Sequence, residues 1–272
     1  MTKPLLHFAH ANSFPAGTYR HLFALLATDF DVQALDMHAH DARYPVDPGW
    51  AALVREYIDE LERRYREPVI LVGHSLGGML SVIVGKARPD LVRCVVLLDA
   101  PMLGGWRAVA LRLLRGTALG RRLSPGRLSR RRRNVWPDAD AAYRHFAAKP
   151  MFAIWAPGIL RDYIASGTMP HRDGVQLRFT RETETAVYDS LPDHIGALVA
   201  RGYPVPVGFI GGVDSAESRM AGLGATRKLV GRHFRLVPGG HLFPMESPQL
   251  TAQAIVQMVA ALLAADRPDN DA

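Results

Sequence analysis

Cysteine is almost absent from this 272-residue chain. The single thiol, Cys94, has no second cysteine to pair with inside the chain, so a disulfide scaffold is excluded and a cytoplasmic setting is the default expectation. Its place in the apolar run Val92–Leu98 reads as a small buried core residue. No apolar run approaches the roughly 20 residues that a membrane-spanning helix needs. The stretch Leu5-Leu6-His7-Phe8-Ala9, after Lys3, is too short and too interrupted for the apolar centre of a signal peptide, and reads as a buried strand. Lysine is scarce, at four residues, and acidic residues are missing between Asp99 and Asp138. That acid-free stretch holds ten arginines: 107, 112, 115, 121, 122, 127 and 130–133. The formal net charge is +7, so the rest of the chain carries about −3 and one segment makes the protein basic.

What is present fits a globular enzyme-sized unit, with 48% hydrophobic and 22% charged residues. Short runs of β character recur at Leu5–Ala9, Asp31–Leu35, Val69–Val72, Val92–Leu98, Val205–Ile210 and Phe234–Val237. Helical spacing falls between them. Trp50, Val54, Tyr57, Ile58, Leu61 and Tyr65 make an amphipathic pattern, and a helix is expected from just after Ser75 to about Lys86. Ser247 as cap and Pro248 at the first helical position open a last helix carrying Ile255, Met258, Val259 and Leu262 on one face. Strands alternating with helices predict a mostly parallel sheet covered on both sides. Residues 101–202 interrupt the alternation. They lack clear strands, look helical and contain the basic segment, which predicts a helical cap inserted into a core formed by residues 1–100 and 203–265, with a flexible tail at 266–272.

The chemistry concentrates at Gly73-His74-Ser75-Leu76-Gly77. An apolar strand enters it and a helix leaves it, the context in which Gly-x-Ser-x-Gly makes a sharp turn that presents the serine hydroxyl. Gly73 and Gly77 are expected to lack side chains because residues two before and two after the serine crowd each other. The N–H of Leu76, at a helix N-terminus, is free to meet a developing oxyanion. Here the sequence resembles the α/β-hydrolase family over nearly all of the chain outside the insertion.

That resemblance implies an α/β-hydrolase fold of about six parallel strands, lacking the two strands that open many members. It also implies that Ser75 is the nucleophile and that His241, in the loop Pro238-Gly239-Gly240-His241, is the base. Asp214 in Gly211-Gly212-Val213-Asp214 resembles the family's acid turn, and the chain order Ser75, Asp214, His241 is the one expected. Asp99, at the end of Leu97-Leu98-Asp99, competes for the role, since some members carry the acid one strand earlier. The second oxyanion donor is assigned to the backbone of Asn12 in His10-Ala11-Asn12-Ser13, where members usually show His-Gly. His10 is expected to organise that loop, and Glu246 to stabilise the start of the last helix.

A Ser-His-Asp set in this order implies two-step acyl transfer on an ester-like small-molecule substrate. A serine nucleophile argues against dehalogenase or epoxide hydrolase chemistry, for which the family uses aspartate. Esterase, lipase, thioesterase, amidase and C–C hydrolase remain open, and a non-catalytic ligand-binding protein on the same scaffold is the rival of another class. No cofactor is called for. The run Asp36-Met37-His38-Ala39-His40-Asp41 has ligand-like spacing but continues Ala42-Arg43, so no metal is expected. The arginines lack aromatic interleaving and any recognised nucleic-acid module, so no nucleic-acid partner is expected. Trp106, Val109, Ala110, Leu113 and Leu114 fall on one helical face opposite Arg107, Arg112 and Arg115. Two readings follow: an apolar face covering the active site with solvated arginines behind it, or attraction of an anionic substrate or lipid surface.

Overall fold

The computed structural model describes residues 2–265; the expected tail at 266–272 lies outside the described residues. Four strands come first: β1 (Leu5–Ala9), β2 (Asp31–Ala34), β3 (Val69–His74) and β4 (Val92–Leu98). Three short ones follow in the insertion, β5 (Val135–Trp136), β6 (Thr168–His171) and β7 (Gly174–Leu177), then β8 (Val207–Gly212) and β9 (Phe234–Val237). The main sheet has the order β2-β1-β3-β4-β8-β9, with every neighbouring pair parallel. These six strands start within two residues of the positions that the sequence predicts.

Side chains alternate across the pleat, so each central strand feeds two cores. Leu6, Phe8, Ile70, Val72, Cys94, Val96 and Leu98 face helix α1 (Arg20–Leu26) and the terminal helix Pro248–Ala265. Ala9, Val69, Leu71, Val95 and Leu97 face α2 (Ala51–Arg64) and α3 (Leu76–Ala87). A fully buried Leu, Val or Phe contributes about 1.5–3 kcal/mol relative to exposure, which is why β3 and β4, apolar on both faces, lie in the middle of the sheet. The chain runs from β1 outward to β2, returns to β3, and then adds strands in the opposite direction. The order therefore reverses between β1 and β3, and the crevice at their C-terminal ends is where such sheets receive ligands.

Between β4 and β8 the chain is not purely helical, which corrects the sequence reading. Helices α4 (Trp106–Leu114), α5 (Ala118–Leu123) and α6 (Gly126–Ser129) carry the basic stretch. Beyond them β5, β7 and β6 form a small antiparallel sheet. Arg172-Asp173 closes the β6–β7 hairpin, Gly174 opens β7 at φ +124, and Pro170 sits on the edge strand, where no ladder donor is needed. Strands this short leave too little periodicity to read. A cluster of Trp136, Phe146, Phe152, Trp155 and Tyr163 ties the insertion to the α1 side of the core. Among the described residues no helix is long and apolar enough to cross a membrane.

His7 in β1, His10 just past it and His74 at the end of β3 are all wholly buried. Burial, reinforced by the charge of His38 or His241 nearby, lowers His10 and His74 to about 3 and His7 well below the usual value. The unfolded chain takes up these protons near pH 6.5, whereas the folded chain refuses them until far lower. The resulting stability is complete above about pH 6.5 and is lost as pH falls toward 3. Urea unfolding at about pH 7.5 and pH 5 should show losses approaching about 1.4 kcal/mol per pH unit for each histidine. An unfolding free energy that stays level over that interval would contradict the neutral, buried assignment.

Candidate active site

Ser75 stands between the end of β3 and the start of α3 with φ +53 and ψ −113, a conformation that an L side chain rarely adopts. Its N–H is tied to the carbonyl of Leu98 at the end of β4 (3.0 Å), and the N–H of Gly77 to the carbonyl of His10 just past β1 (3.2 Å). The two glycines answer to different neighbours. A Cβ on Gly73 would run into the backbone of Gly77 and Gly78, as the crowding argument expects. One on Gly77 would instead strike the carbonyl of Ala9 at the end of β1. The turn is therefore tight both within itself and against the neighbouring strand.

The imidazole of His241 reaches this turn from the loop after β9. Its Nε2 lies 3.1 Å from Ser75 Oγ, and its Nδ1 lies 2.6 Å from Asp99 Oδ2. Nδ1–H facing the carboxylate leaves Nε2 bare to accept the serine proton. Of the two acids offered by the sequence, the histidine meets Asp99, so the assignment of Asp214 is corrected. Asp214 is exposed on the turn after β8. Its backbone N–H bonds to Gly239, and its side chain makes no ion pair among the described residues.

The Gly211–Asp214 segment has another use. Val213 and Asp214 donate to the carbonyls of Val237 and Gly239, which supports the loop that carries His241. Asp99 itself follows β4 with φ +41 and is fully buried. Its Oδ1 accepts from the N–H of Gly212 (3.0 Å) and the hydroxyl of Ser218 (3.0 Å), and its Oδ2 from the hydroxyl of Ser215 (2.5 Å). Burial pushes this carboxyl up, but the His241 contact and these donors outweigh it and hold it below the ordinary carboxylate value. The sequence signal for this cradle is Ser215 and Ser218, three apart at the opening of a short helix, with nothing to say which acid they would serve.

Two further acidic side chains lie near His241. Glu217 Oε2 lies 4.0 Å from His241 Nδ1, half-exposed. Asp99, Glu217 and His241 could converge on a cation only by giving up the bond between His241 and Asp99. Glu246 accepts the N–H of Gly240 (3.1 Å), so it braces the His241 loop, and its expected role at the last helix is corrected.

At the other lip, the N–H groups of Leu76 and Asn12 have no backbone acceptor among the described residues. The Asn12 side chain donates to the carbonyl of Glu184 in the insertion (3.2 Å). His10 donates from Nδ1 to the Ala11 carbonyl (2.8 Å) and accepts the N–H of His38 at Nε2 (2.7 Å), which makes it a loop organiser. His38 turns its Nδ1 to Glu56 (3.3 Å). His40 turns Nδ1 to the His38 carbonyl and Nε2 to the N–H of Thr180. Three of the four ring nitrogens that gave the metal-like spacing thus go to separate protein partners, and the fourth, His38 Nε2, is buried without one.

One hydrogen-bonded chain joins the two lips. The N–H of Ala11 donates to Tyr19 Oη (3.1 Å), Tyr19 donates to His74 Nδ1 (2.7 Å), and His74 Nε2–H donates to the carbonyl of His241 (2.9 Å). Every group in it is buried or nearly so, and the proton order is fixed by the two ends.

The alpha/beta hydrolase family model matches residues 8–254. The chain belongs to the alpha/beta hydrolase family. As a member it is a hydrolase, and its six-stranded parallel sheet is the fold of that family. Over 100 residues it is 33% identical to a 2-(acetamidomethylene)succinate hydrolase of Mesorhizobium japonicum, a stretch that spans 35% of each chain. The crystal structure of E-2-(acetamidomethylene)succinate hydrolase superposes with a TM-score of 0.73 at 24% identity, covering 95% of this hydrolase and 92% of that chain. The thioesterase domain from the curacin biosynthetic pathway gives 0.70 at 18% identity, covering 93% and 91%. At these identities the two structures speak for the fold.

Replacing Tyr19 with Phe orphans two buried polar groups, the Ala11 N–H and His74 Nδ1. That should cost about 1–3 kcal/mol of stability. It should also lower kcat, with KM nearly unchanged, because both lips shift relative to Ser75. Steady-state kinetics beside a urea titration check this, and an unaltered kcat would show that the chain is structural only.

Proposed function

We propose that this hydrolase cleaves an ester-like carbonyl by two-step acyl transfer. Ser75 attacks as His241 Nε2 takes its proton. Asp99 holds the imidazole in the tautomer that leaves Nε2 bare and stabilises the imidazolium that follows. The N–H groups of Leu76 and Asn12 receive the oxyanion. His241 then returns the proton to the leaving group, and a water activated by the same histidine releases the acyl group from Ser75. The observation that carries this reading is the unbroken line from Ser75 Oγ through His241 to the buried Asp99, with contacts of 3.1 and 2.6 Å.

The local likeness to the 2-(acetamidomethylene)succinate hydrolase supports widening the scissile group to an acetamido substrate. A substrate panel therefore sets p-nitrophenyl esters of increasing acyl length and a thioester beside 2-(acetamidomethylene)succinate.

Ser75→Ala should lower turnover by on the order of 10³-fold or more without unfolding the protein, and should abolish labelling by a fluorophosphonate probe. Near-normal turnover by this variant would remove Ser75 from the role. Asp99→Asn should lower kcat by roughly 10⁴-fold, as loss of the orienting acid does elsewhere, while Asp214→Asn should stay within about threefold of the parent. The reverse ranking would return the acid to Asp214.

A further inference from the structure

The outward face of α4–α6 is apolar where a solvated helix would be polar. On α4, Trp106, Val109 and Leu113 stand at i, i+3 and i+7, and no residue of that helix is buried. Trp106 and Leu113 are each 71% exposed, as is Leu128 on α6, with Leu119 and Leu123 on α5 close behind. The reading in which this stripe covers the active site is therefore corrected: three of its five members point away from the protein. Six of the thirteen large apolar side chains exposed among the described residues fall within residues 106–128. Isolated exposed apolar residues need no explanation, but a run of this density does.

The same segment carries the arginines. Arg115, Arg130 and Arg132 meet Asp193, Asp189 and Glu184. The other seven form no ion pair among the described residues, and six of these (112, 121, 122, 127, 131 and 133) are exposed. No acidic residue interrupts the stretch, while the remainder of the chain is formally negative. Large apolar groups beside uncompensated guanidinium groups match a surface with negative headgroups above acyl chains. A second copy of the chain matches poorly, because a two-fold contact through this face would set ten arginines against ten. A nucleic acid would satisfy the arginines and leave five aliphatic side chains in water.

We propose that α4–α6 is a docking surface for an anionic lipid bilayer. Trp106, Leu113, Leu119, Leu123 and Leu128 enter the boundary between headgroups and acyl chains. Arg112, Arg122 and Arg127 bind phosphate oxygens as charge-assisted donors. The negative remainder of the chain turns this face, and no other, toward the membrane.

The test is co-sedimentation of the full chain with extruded vesicles of phosphatidylcholine alone and of phosphatidylcholine mixed with phosphatidylglycerol. Trp106 serves as an internal reporter, since Trp50, Trp136 and Trp155 are buried. The protein should pellet with the mixed vesicles and not with phosphatidylcholine alone. Its tryptophan emission should shift to the blue, and raised salt should weaken the association. Trp106→Ser with Leu113→Ser, and separately Arg112→Glu with Arg122→Glu and Arg127→Glu, should each weaken binding tenfold or more. Turnover of a water-soluble ester should be untouched, because these exposed side chains lie outside the catalytic set. No pelleting with mixed vesicles would overturn the proposal, as would binding indifferent to both sets of substitutions. Loss in one set alone would overturn the two-part surface. A Trp106-dependent dimer, or a single-stranded oligonucleotide that binds while vesicles do not, would replace the lipid with another partner.

Discussion

A carboxylate with no exposure to water organises the site. Burying a charge is expensive unless donors surround it, and Asp99 has four: the backbone of Gly212, the hydroxyls of Ser215 and Ser218, and the imidazole of His241. Those donors come from the ends of β8, the helix after it and the loop after β9. Satisfying one charge thus fixes three segments relative to β4. The strand order does the rest. β4 lies next to β3, so the acid and Ser75 leave adjacent strand ends, and the Ser75 N–H is bonded to the last carbonyl of β4.

The strain at the site is held by the same contacts. Ser75 and Asp99 both adopt positive φ without being glycine, at a cost of order 1–3 kcal/mol each. Ser75 is kept there by its backbone bond to β4 and by the absence of side chains at Gly73 and Gly77, and Asp99 by its own bond to β8 and its cradle. The chain from Ala11 through Tyr19 and His74 to the His241 carbonyl adds the remaining constraint, linking the lip with the Asn12 N–H to the lip with His241. His74 needs to be neutral to bridge these groups, and burial keeps it so.

The sheet was legible because its strands are short apolar runs with turn residues between them, a local pattern. The Ser75 turn was legible for the same reason, since its glycines are neighbours in sequence. The acid was not. Asp99 and Asp214 both follow an apolar strand, and the choice between them depends on Ser215 and Ser218, more than a hundred residues from Asp99. The glycines before Asp214 resemble an acid turn, but they serve other contacts: Gly212 lets the His241 loop come close, and Gly211 makes room for the Phe209 ring and the Asp99 carboxylate. Glu246 misled in the same way, since its partner, the Gly240 N–H, precedes the helix whose start it was expected to hold. On α4 the helical spacing was correctly read, but periodicity locates a stripe without saying which way it faces. The apolar stripe turned outward.

Everything in the site turns on Asp99 being the partner of His241. The proton on His241 Nδ1, held in a short bond to a buried carboxylate, should give a far-downfield imidazole N–H resonance in one-dimensional proton NMR. This signal should be present in the parent protein and in Asp214→Asn, and lost or strongly displaced in Asp99→Asn. A signal that survives Asp99→Asn unchanged and disappears in Asp214→Asn would contradict it.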